Sequence, residues 1–499
     1  MRATGCLAAH GSFRAAVFAV LALVIVWPML ATADLMNLFR DAQVLFSYER
    51  DAAWSVLRFG TPPLWDPFYC GGIYALGTPQ SRFASPTFLL SLLFGPARGE
   101  ALTMFAMVLI GLEGTYRYAR ARGGGPLGSL LAAPAFAASG VFIGAPYMGW
   151  INFLGFELVP WVLLWLRNAT RGDVRAAVFA ALTFAWIVGF GGTYAAPFTV
   201  LLCLYGLAER LVDRRATIAA RARGLGMAAF AAGLAIAVGA VRLVPLVETL
   251  IASPRVIAGR PSLTIGAALA ALWTPVAARD GHLLGRYDMF TIGGGVLAVA
   301  LVGLARRRVW PLLPLALLAF GAALGYSAGP WGPFPLLKRL PLFSELRYPE
   351  RYLIVLALVA AVAVANGVRL LEIAVRGRRR GALLALAVAV AALLGNTAFL
   401  IWDFHAVADA RRLTTAPPEL VRPFQQARGN RWLAAFYAPM SRGSLSCWDA
   451  YPVPMSPRLR GDLPADEYLD DPAAGTVARA GWSPNTIAVD VVLSRPATL

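Results

Sequence analysis

RYLIVLALVAAVAVANGVRLLEIAVRGRRRGALLALAVAVAALLGNTAFLIW, residues 351–402, is the stretch on which the fold turns. Its two apolar runs, 351–371 and 382–402, are each long enough to cross a hydrocarbon layer as a helix, which takes roughly 20 residues. Between them stand Arg376 and Arg378 to Arg380, the mark of a short loop held on the cytoplasmic side. Moving outward, runs of the same kind recur near 14–33, 101–116, 126–146, 151–166, 176–192, 193–208, 225–246, 291–305 and 309–327, so the chain is expected to carry eleven spans.

Composition agrees. Of 499 residues, 58% are hydrophobic and 14% charged, against about 25% charged in an ordinary soluble domain. A cytosolic enzyme and a disordered scaffold are both excluded. The net charge of +18 could point to nucleic acid, but all the basic residues except Lys338 are arginines, and most fall in short gaps between apolar runs. They are a topology signal, and no nucleic-acid partner is expected.

The gaps set the orientation. Arg117, Arg120 and Arg122; Arg167, Arg171 and Arg175; Arg210, Arg214, Arg215, Arg221 and Arg223; Arg306 to Arg308; and the 376–380 cluster share one side if the spans alternate. That side is read as cytoplasmic, with the N-terminus there and the tail periplasmic, in a bacterial inner membrane. Ala31-Thr32-Ala33 would suit signal peptidase, yet a retained first span fits the charge pattern better. The long polar segments, 34–100, 247–290, 328–350 and the tail from Asp403, then all lie outside. Two outer turns, at 144–150 and 189–194, are too short to hold chemistry alone but can line a cavity.

The first outer segment, 34–100, is longer than structureless loops usually are. Residues 40–59 read as an amphipathic helix lying on the membrane surface, with Val44, Tyr48, Ala52, Val56 and Phe59 opposite Arg40, Ser47, Arg50, Asp51 and Arg58. Pro62, Pro63 and Pro67 end it, Gly71-Gly72 permits a turn, and a second apolar stretch follows at 86–93. In the tail, 403–499, Ile487, Val489, Val491 and Leu493 alternate after the turn signal Ser483-Pro484-Asn485. The division expected is a transmembrane domain, 1–402, and a small β-rich outer domain, 403–499, short of its closing strands.

Arg58-Phe-Gly-Thr-Pro-Pro-Leu-Trp-Asp-Pro-Phe-Tyr-Cys-Gly-Gly, with Pro79-Gln80 and Pro86 downstream, resembles the first outer loop of the YfhO-like bacterial membrane proteins, of the GT-C class of glycosyltransferases. The segments 243–255, 287–295 and 340–351, the last running into a span that ends at Gly367, and Ser483-Pro-Asn-Thr-Ile in the tail resemble the same family in the same order. The resemblance implies an all-α polytopic fold with an outer β-domain. It also implies a transferase that moves a sugar from a polyprenyl-phosphate carrier to a cell-envelope glycan or lipid acceptor on the periplasmic face. A donor held by its lipid tail needs no nucleotide pocket, and no glycine-rich phosphate loop is present. Two other readings fit the same fold. A lipid-linked-sugar transporter would place its site near the bilayer midplane and show an inverted repeat, and none is apparent. A non-catalytic envelope-assembly factor would keep the fold and lose the base.

Glycosyl transfer needs a base for the acceptor hydroxyl and cations for the departing phosphate. Asp41 is the first choice for the base, because GT-C enzymes tend to place a catalytic aspartate just beyond the first span. Ala42 breaks the acidic pair many of them carry. Asp41 reads equally well as a helix cap, although the Glu or Gln that would complete a capping box at position 44 is missing. Asp66, before Pro67, is the second catalytic candidate, against a bland role as turn former. Glu49 and Asp51 are fallback acids as well, although among Arg50 and Arg58 they read first as solvated or ion-paired.

For the phosphate the expected residues are Arg347 and Arg351, at the mouth of the tenth span, and Arg242, inside an apolar run where it needs a partner such as Glu248 or Glu157. Arg58, in the loop motif, joins them, and Arg82 and Arg255 are weaker. Glu157 is a candidate in its own right as an acid inside a span, whereas Glu113 and Arg117 read as a local helix pair. His10, His282 and His405 have no zinc spacing, and Asp280, His282 and Asp288 read as a solvated loop. No cofactor is required, with a Mg²⁺ or Mn²⁺ ion at Asp41 the open alternative. Cys70 and Cys447 both fall on the oxidising side and can bridge, while Cys203 reads as a packing residue.

Overall fold

The computed structural model describes residues 11–31, 40–147, 150–254, 262–273, 290–409, 425–427, 442–445 and 466–499. Each of the eleven expected spans coincides with helix, from Gly11–Ala31 to Ala382–Asp409. Among the described residues, five helices are long and apolar enough to cross a membrane: Gly11–Ala31, Ala195–Val212, Ile218–Ala252, Pro349–Arg376 and Ala382–Ala406. Others are broken. The 126–146 run splits into Pro126–Ala137 and Gly140–Tyr147, where the Gly140 amide leaves the helix and donates to the Thr291 carbonyl at 2.9 Å. The 151–166 run opens as a 3₁₀ helix, Ile151–Leu158, before Val159–Ala169.

The central column is Leu353–Arg376, buried along most of its length against Pro126–Ala137 and Gly294–Gly303. Its alanines permit this, because small side chains let helix backbones approach closely. At Gly303 a Cβ would fall on the Ala363 carbonyl, so the contact there is backbone against backbone. The first helix is tied into the bundle by Arg14, which meets Glu113 at 2.7 and 2.9 Å and lies over the Tyr116 ring. Glu113 also takes the expected bond from Arg117, at 2.6 Å. The last span runs on to Asp409 instead of stopping at 402.

The 60–95 segment folds back as a roof over one end of the bundle. Trp65–Asp66 pairs antiparallel with Ile73–Tyr74, and the turn between them passes through positive φ at Cys70, Gly71 and Gly72. A short helix, Phe88–Phe94, then leads into Pro96–Ala121. Two buried guanidiniums hold the roof down. Arg82 pairs with Glu100 and lies 3.9 Å from Glu49, which also accepts from the Ser91 hydroxyl at 2.7 Å. Arg242, from Ile218–Ala252, donates to the roof carbonyls of Leu76, Thr78, Ser81 (3.0 Å) and Ala75 (3.4 Å).

The roof corrects one expectation. The helix Arg40–Phe59 does not lie on a membrane surface with its polar face in water: Ser47, Glu49 and Asp51 are as buried as Val44, Tyr48 and Ala52. The segment that follows wraps the polar face, bringing Arg82 and Ser91 to Glu49 and Asp66 to Asp51. Among its described side chains, those exposed are Leu57 and Arg58 in the last turn.

The expected strand at 487–493 is present. Gly475–Ser483 and Thr486–Leu493 form an antiparallel hairpin around Pro484-Asn485, in register Ser483 to Thr486 and Gly475 to Leu493. The hairpin docks on the roof: Asn485 accepts from the Trp65 amide at 3.1 Å and donates to the Pro62 carbonyl at 2.7 Å, while Trp482 packs edge-on against Phe59 and Phe68. A second tail element, Arg442–Ser444, pairs in parallel with Gln425–Ala427. Ser444 exchanges backbone bonds with Phe68 and Gly71, both at 2.9 Å. Cys70 between them is disulfide-bonded, and Cys447 lies outside the described residues. Cys203 is free and half-buried.

Removing one member of a buried ion cluster strands the charges left behind, at a cost of about 3–5 kcal/mol. Arg82→Met is therefore expected to lower thermal stability in detergent sharply. Adding Glu49→Gln and Glu100→Gln should restore part of it; a single variant as stable as wild type would show that the cluster does not hold the roof.

Candidate functional site

Where the roof meets the loop helix, two carboxyl groups face one another. Asp51 comes from the middle of Arg40–Phe59, and Asp66 from the strand that turns back over it; both are almost wholly buried. Asp66 Oδ1 accepts the Phe68 amide at 2.9 Å. Its other oxygen and both oxygens of Asp51 are buried without a hydrogen-bond donor among the described residues. Burial pushes Asp66 from an ordinary value of 3.8 up to about 7, against the pull of the Phe68 amide and the Asp51 carboxyl. Asp51 is raised well above its ordinary value by burial and then by the charge of Asp66, with Arg50 opposing. Two close carboxyls in a dry site hold one proton between them near neutrality. In sequence Asp51 is a fallback acid that reads as solvated or ion-paired; its burial is visible only once Asp66 is folded over it.

A second group lies at the mouth of the central column. Arg351 is buried with its guanidinium over four rings: Tyr194 at 3.8 Å, Tyr348 at 4.6 Å, Phe153 at 4.8 Å and Trp150 at 4.9 Å. Trp150 and Tyr194 come from the two short outer turns that were expected to line a cavity. The buried Tyr194 and Tyr352 hydroxyls lack a hydrogen-bond partner among the described residues. Arg347, half-buried, lies over the Tyr348 ring at 5.0 Å. The two groups are bridged by an apolar cluster in which Tyr48 and Tyr69, edge to face at 5.6 Å, pack with Ile151, next to Trp150.

The other expected residues are dispersed. Arg242 is occupied by roof carbonyls and not by Glu248, which is exposed, or by Glu157. Its role is to clamp the roof, because four carbonyls at a turn supply the acceptors a phosphate would otherwise give. Glu157 is fully buried inside the bundle against Gly111, where any Cβ would collide with its carboxylate, and neither of its oxygens meets a donor among the described residues. Arg58 is exposed and lies over Trp54 at 5.0 Å, apart from both groups. Arg82 is spent on Glu100 and Glu49. Asp41 is the second residue of the loop helix, and its side chain lies outside the described residues, as do Arg255, Asp280, His282 and Asp288. Among the described residues no three His, Cys, Asp or Glu side chains converge as a metal site.

No protein-family model matches the chain, and no curated protein does. Among solved structures it is similar to the arabinofuranosyltransferase AftD from Mycobacteria, at 19% identity and TM-score 0.47, over 76% of this chain and 27% of that one. It is similar as well to the oligosaccharyltransferase of Archaeoglobus fulgidus in the apo form, at 13% identity and TM-score 0.46, over 88% of this chain and 65% of that one. The same archaeal enzyme, AglB, in complex with an inhibitory peptide and a dolichol-phosphate gives 14% identity and TM-score 0.45, over 87% and 64%. The chain thus spans about a quarter of the length of AftD and just under two thirds of the archaeal enzyme.

The carboxyl pair has a pH signature. A carboxyl whose pKa is raised on folding holds its proton more tightly folded than unfolded, so its contribution is present below the unfolded value and is lost as pH rises through the folded one. Stability is expected to fall between pH 3.8 and about 7. Melting curves of Asp66→Asn and Asp51→Asn should each show a shallower slope and lie above wild type at pH 8; an unchanged slope would show that the pair does not titrate in this range.

Proposed function

We propose that this protein is a membrane glycosyltransferase of the GT-C type, transferring a sugar from a polyprenyl-phosphate carrier to a cell-envelope acceptor on the periplasmic face. The observation that carries the reading is the buried Asp51–Asp66 pair beneath the roof, poised near neutrality where a general base works best. The aromatic rings around Arg351 support it, since flat apolar faces suit a sugar ring and a guanidinium suits phosphate oxygens.

In this reaction the acceptor hydroxyl attacks the anomeric carbon as its proton passes to a carboxylate, and the bond from that carbon to the carrier phosphate breaks with its electron pair going to the phosphate. Asp66 takes the proton, with Asp51 as the partner that tunes it, and Asp41 at the start of the same helix is retained as the alternative base. Arg347 and Arg351 neutralise the departing phosphate. Arg242 acts indirectly by keeping the roof closed. A divalent cation, if bound, would be held by one or both carboxylates of the pair together with carrier-phosphate oxygens and water, and would supply charge to the leaving phosphate.

The test is release of polyprenyl phosphate from a sugar-charged carrier by the purified full-length protein in nanodiscs. Asp66→Asn is expected to lower the rate about 10²–10⁴-fold, the usual range for a general base, while Arg351→Lys should slow release with a smaller loss. Full activity in folded Asp66→Asn and Asp41→Asn proteins would remove the base assignment. Carrier movement across vesicles without transfer would favour a transporter, and neither activity, with envelope proteins co-purifying, an assembly factor.

A further inference from the structure

A large cavity belongs to neither group above. It lies at the arginine-rich end of the bundle, measures ≈ 770 Å³, and is walled by the ends of Pro96–Ala121, Val159–Ala169, Ala195–Val212, Leu313–Ala323 and Leu353–Arg376. One part of its wall carries Arg122, Arg167, Arg171, Arg210 and Arg308 against only Glu209 and Asp213. Another part is apolar, with Leu163, Leu202, Leu315, Leu358, Val359 and Val362.

The arginines are not all neutralised by protein. Arg122 is satisfied by a bidentate pair with Glu209 at 2.7 and 2.8 Å, and Arg210 reaches Asp213 at 3.4 Å. Arg167 has no such carboxylate: its Nε is buried without a partner, and its charged form is disfavoured by burial and then by the charges of Arg171 and Arg122. A second basic cavity of ≈ 460 Å³ adjoins the first, shares Gly123 and Arg308 with it, and adds Arg120, Arg306 and Arg369. Arg306 is likewise disfavoured in its charged form, by burial and by Arg308 and Arg369. Alternation of loop charge accounts for arginines at this end of the bundle. It does not account for their convergence on a cavity, where mutual repulsion is a cost unless an anion offsets it.

We propose that this cavity binds an anionic phospholipid, its phosphate held by Arg167, Arg171 and Arg308 and one acyl chain laid along Leu202, Leu315 and Leu358. The pairing of a basic rim with an apolar wall selects an amphiphile over a soluble phosphate. An excess of positive charge selects a net-anionic headgroup over a zwitterionic one, as in other basic pockets between membrane helices. The site is independent of the transfer reaction proposed above.

Native mass spectrometry of the full-length protein released from detergent tests this, with phosphatidylglycerol and phosphatidylcholine of matched chains as probes. Phosphatidylglycerol should be retained over phosphatidylcholine, and Arg167→Gln with Arg171→Gln should lower its retention about thirtyfold, from roughly a kilocalorie per lost arginine. Gly206 supplies a variant that leaves the charge alone: it lines the cavity in mid-helix, and a Cβ there meets nothing within 4 Å. Gly206→Leu should therefore fold, fill the cavity and also reduce retention. Equal retention of the two lipids, or wild-type retention in Gly206→Leu, would overturn the proposal. Displacement of bound phosphatidylglycerol by millimolar inorganic phosphate would overturn it too, assigning the arginines to a soluble anion.

Discussion

Arg82 and Arg242 fasten the 60–95 segment to the bundle, and the placement of Asp66 over Asp51 depends on that segment. A charged guanidinium in a dry interior is tolerated only if its donors are matched. Arg82 meets that condition with Glu100 and Glu49, Arg242 with a cluster of carbonyls at the 75–81 turns. Because each arginine must find those partners or remain unsolvated, the two together leave the segment one position over the bundle. Trp186, donating to the Ser85 hydroxyl at 2.9 Å, and Thr193, donating to the Pro79 carbonyl at 3.2 Å, complete the fastening with neutral bonds.

A closed roof excludes water, and exclusion of water gives the carboxyl pair its character. In solvent Asp51 and Asp66 would both be ionised at neutral pH. Folded, both lose hydration; the charge of Asp66 makes ionisation of Asp51 harder still, while the bond from the Asp51 carboxyl eases that of Asp66. The tail adds to the enclosure: Trp482 covers Phe68 and Phe59, and Asn485 bonds the strand that carries Asp66. Structure far along the chain thereby bears on the proton affinity of a loop residue.

Much of the architecture was legible in the sequence because its signals are local. The apolar runs report helices through composition alone, and all of them are helical. The tail hairpin is legible because alternation over residues 487–493 and the Ser483-Pro484-Asn485 turn lie within one short window. The Glu113–Arg117 pair follows from helical spacing. The loop helix was located correctly and its environment was not, because amphipathicity measures contrast between faces and cannot say whether the polar face meets water or buried partners from another segment. Asp51 was left a fallback acid for that reason. Arg242 was recognised as a charge in need of a partner, but backbone carbonyls leave no trace in residue identity.

By itself, then, the sequence determined a many-helix membrane protein with its arginine loops gathered at one end, since hydrophobic length and loop charge are sums over neighbouring residues. Only the tertiary structure decided which charges are spent on holding the molecule together and which are left to act. Arg82 and Arg242 belong to the first kind. Asp66 and Arg351 were candidates from the sequence and Asp51 a fallback acid; distant segments removed their water and supplied, or withheld, their partners. Desolvation is a property of the packed whole, and no window of sequence contains it.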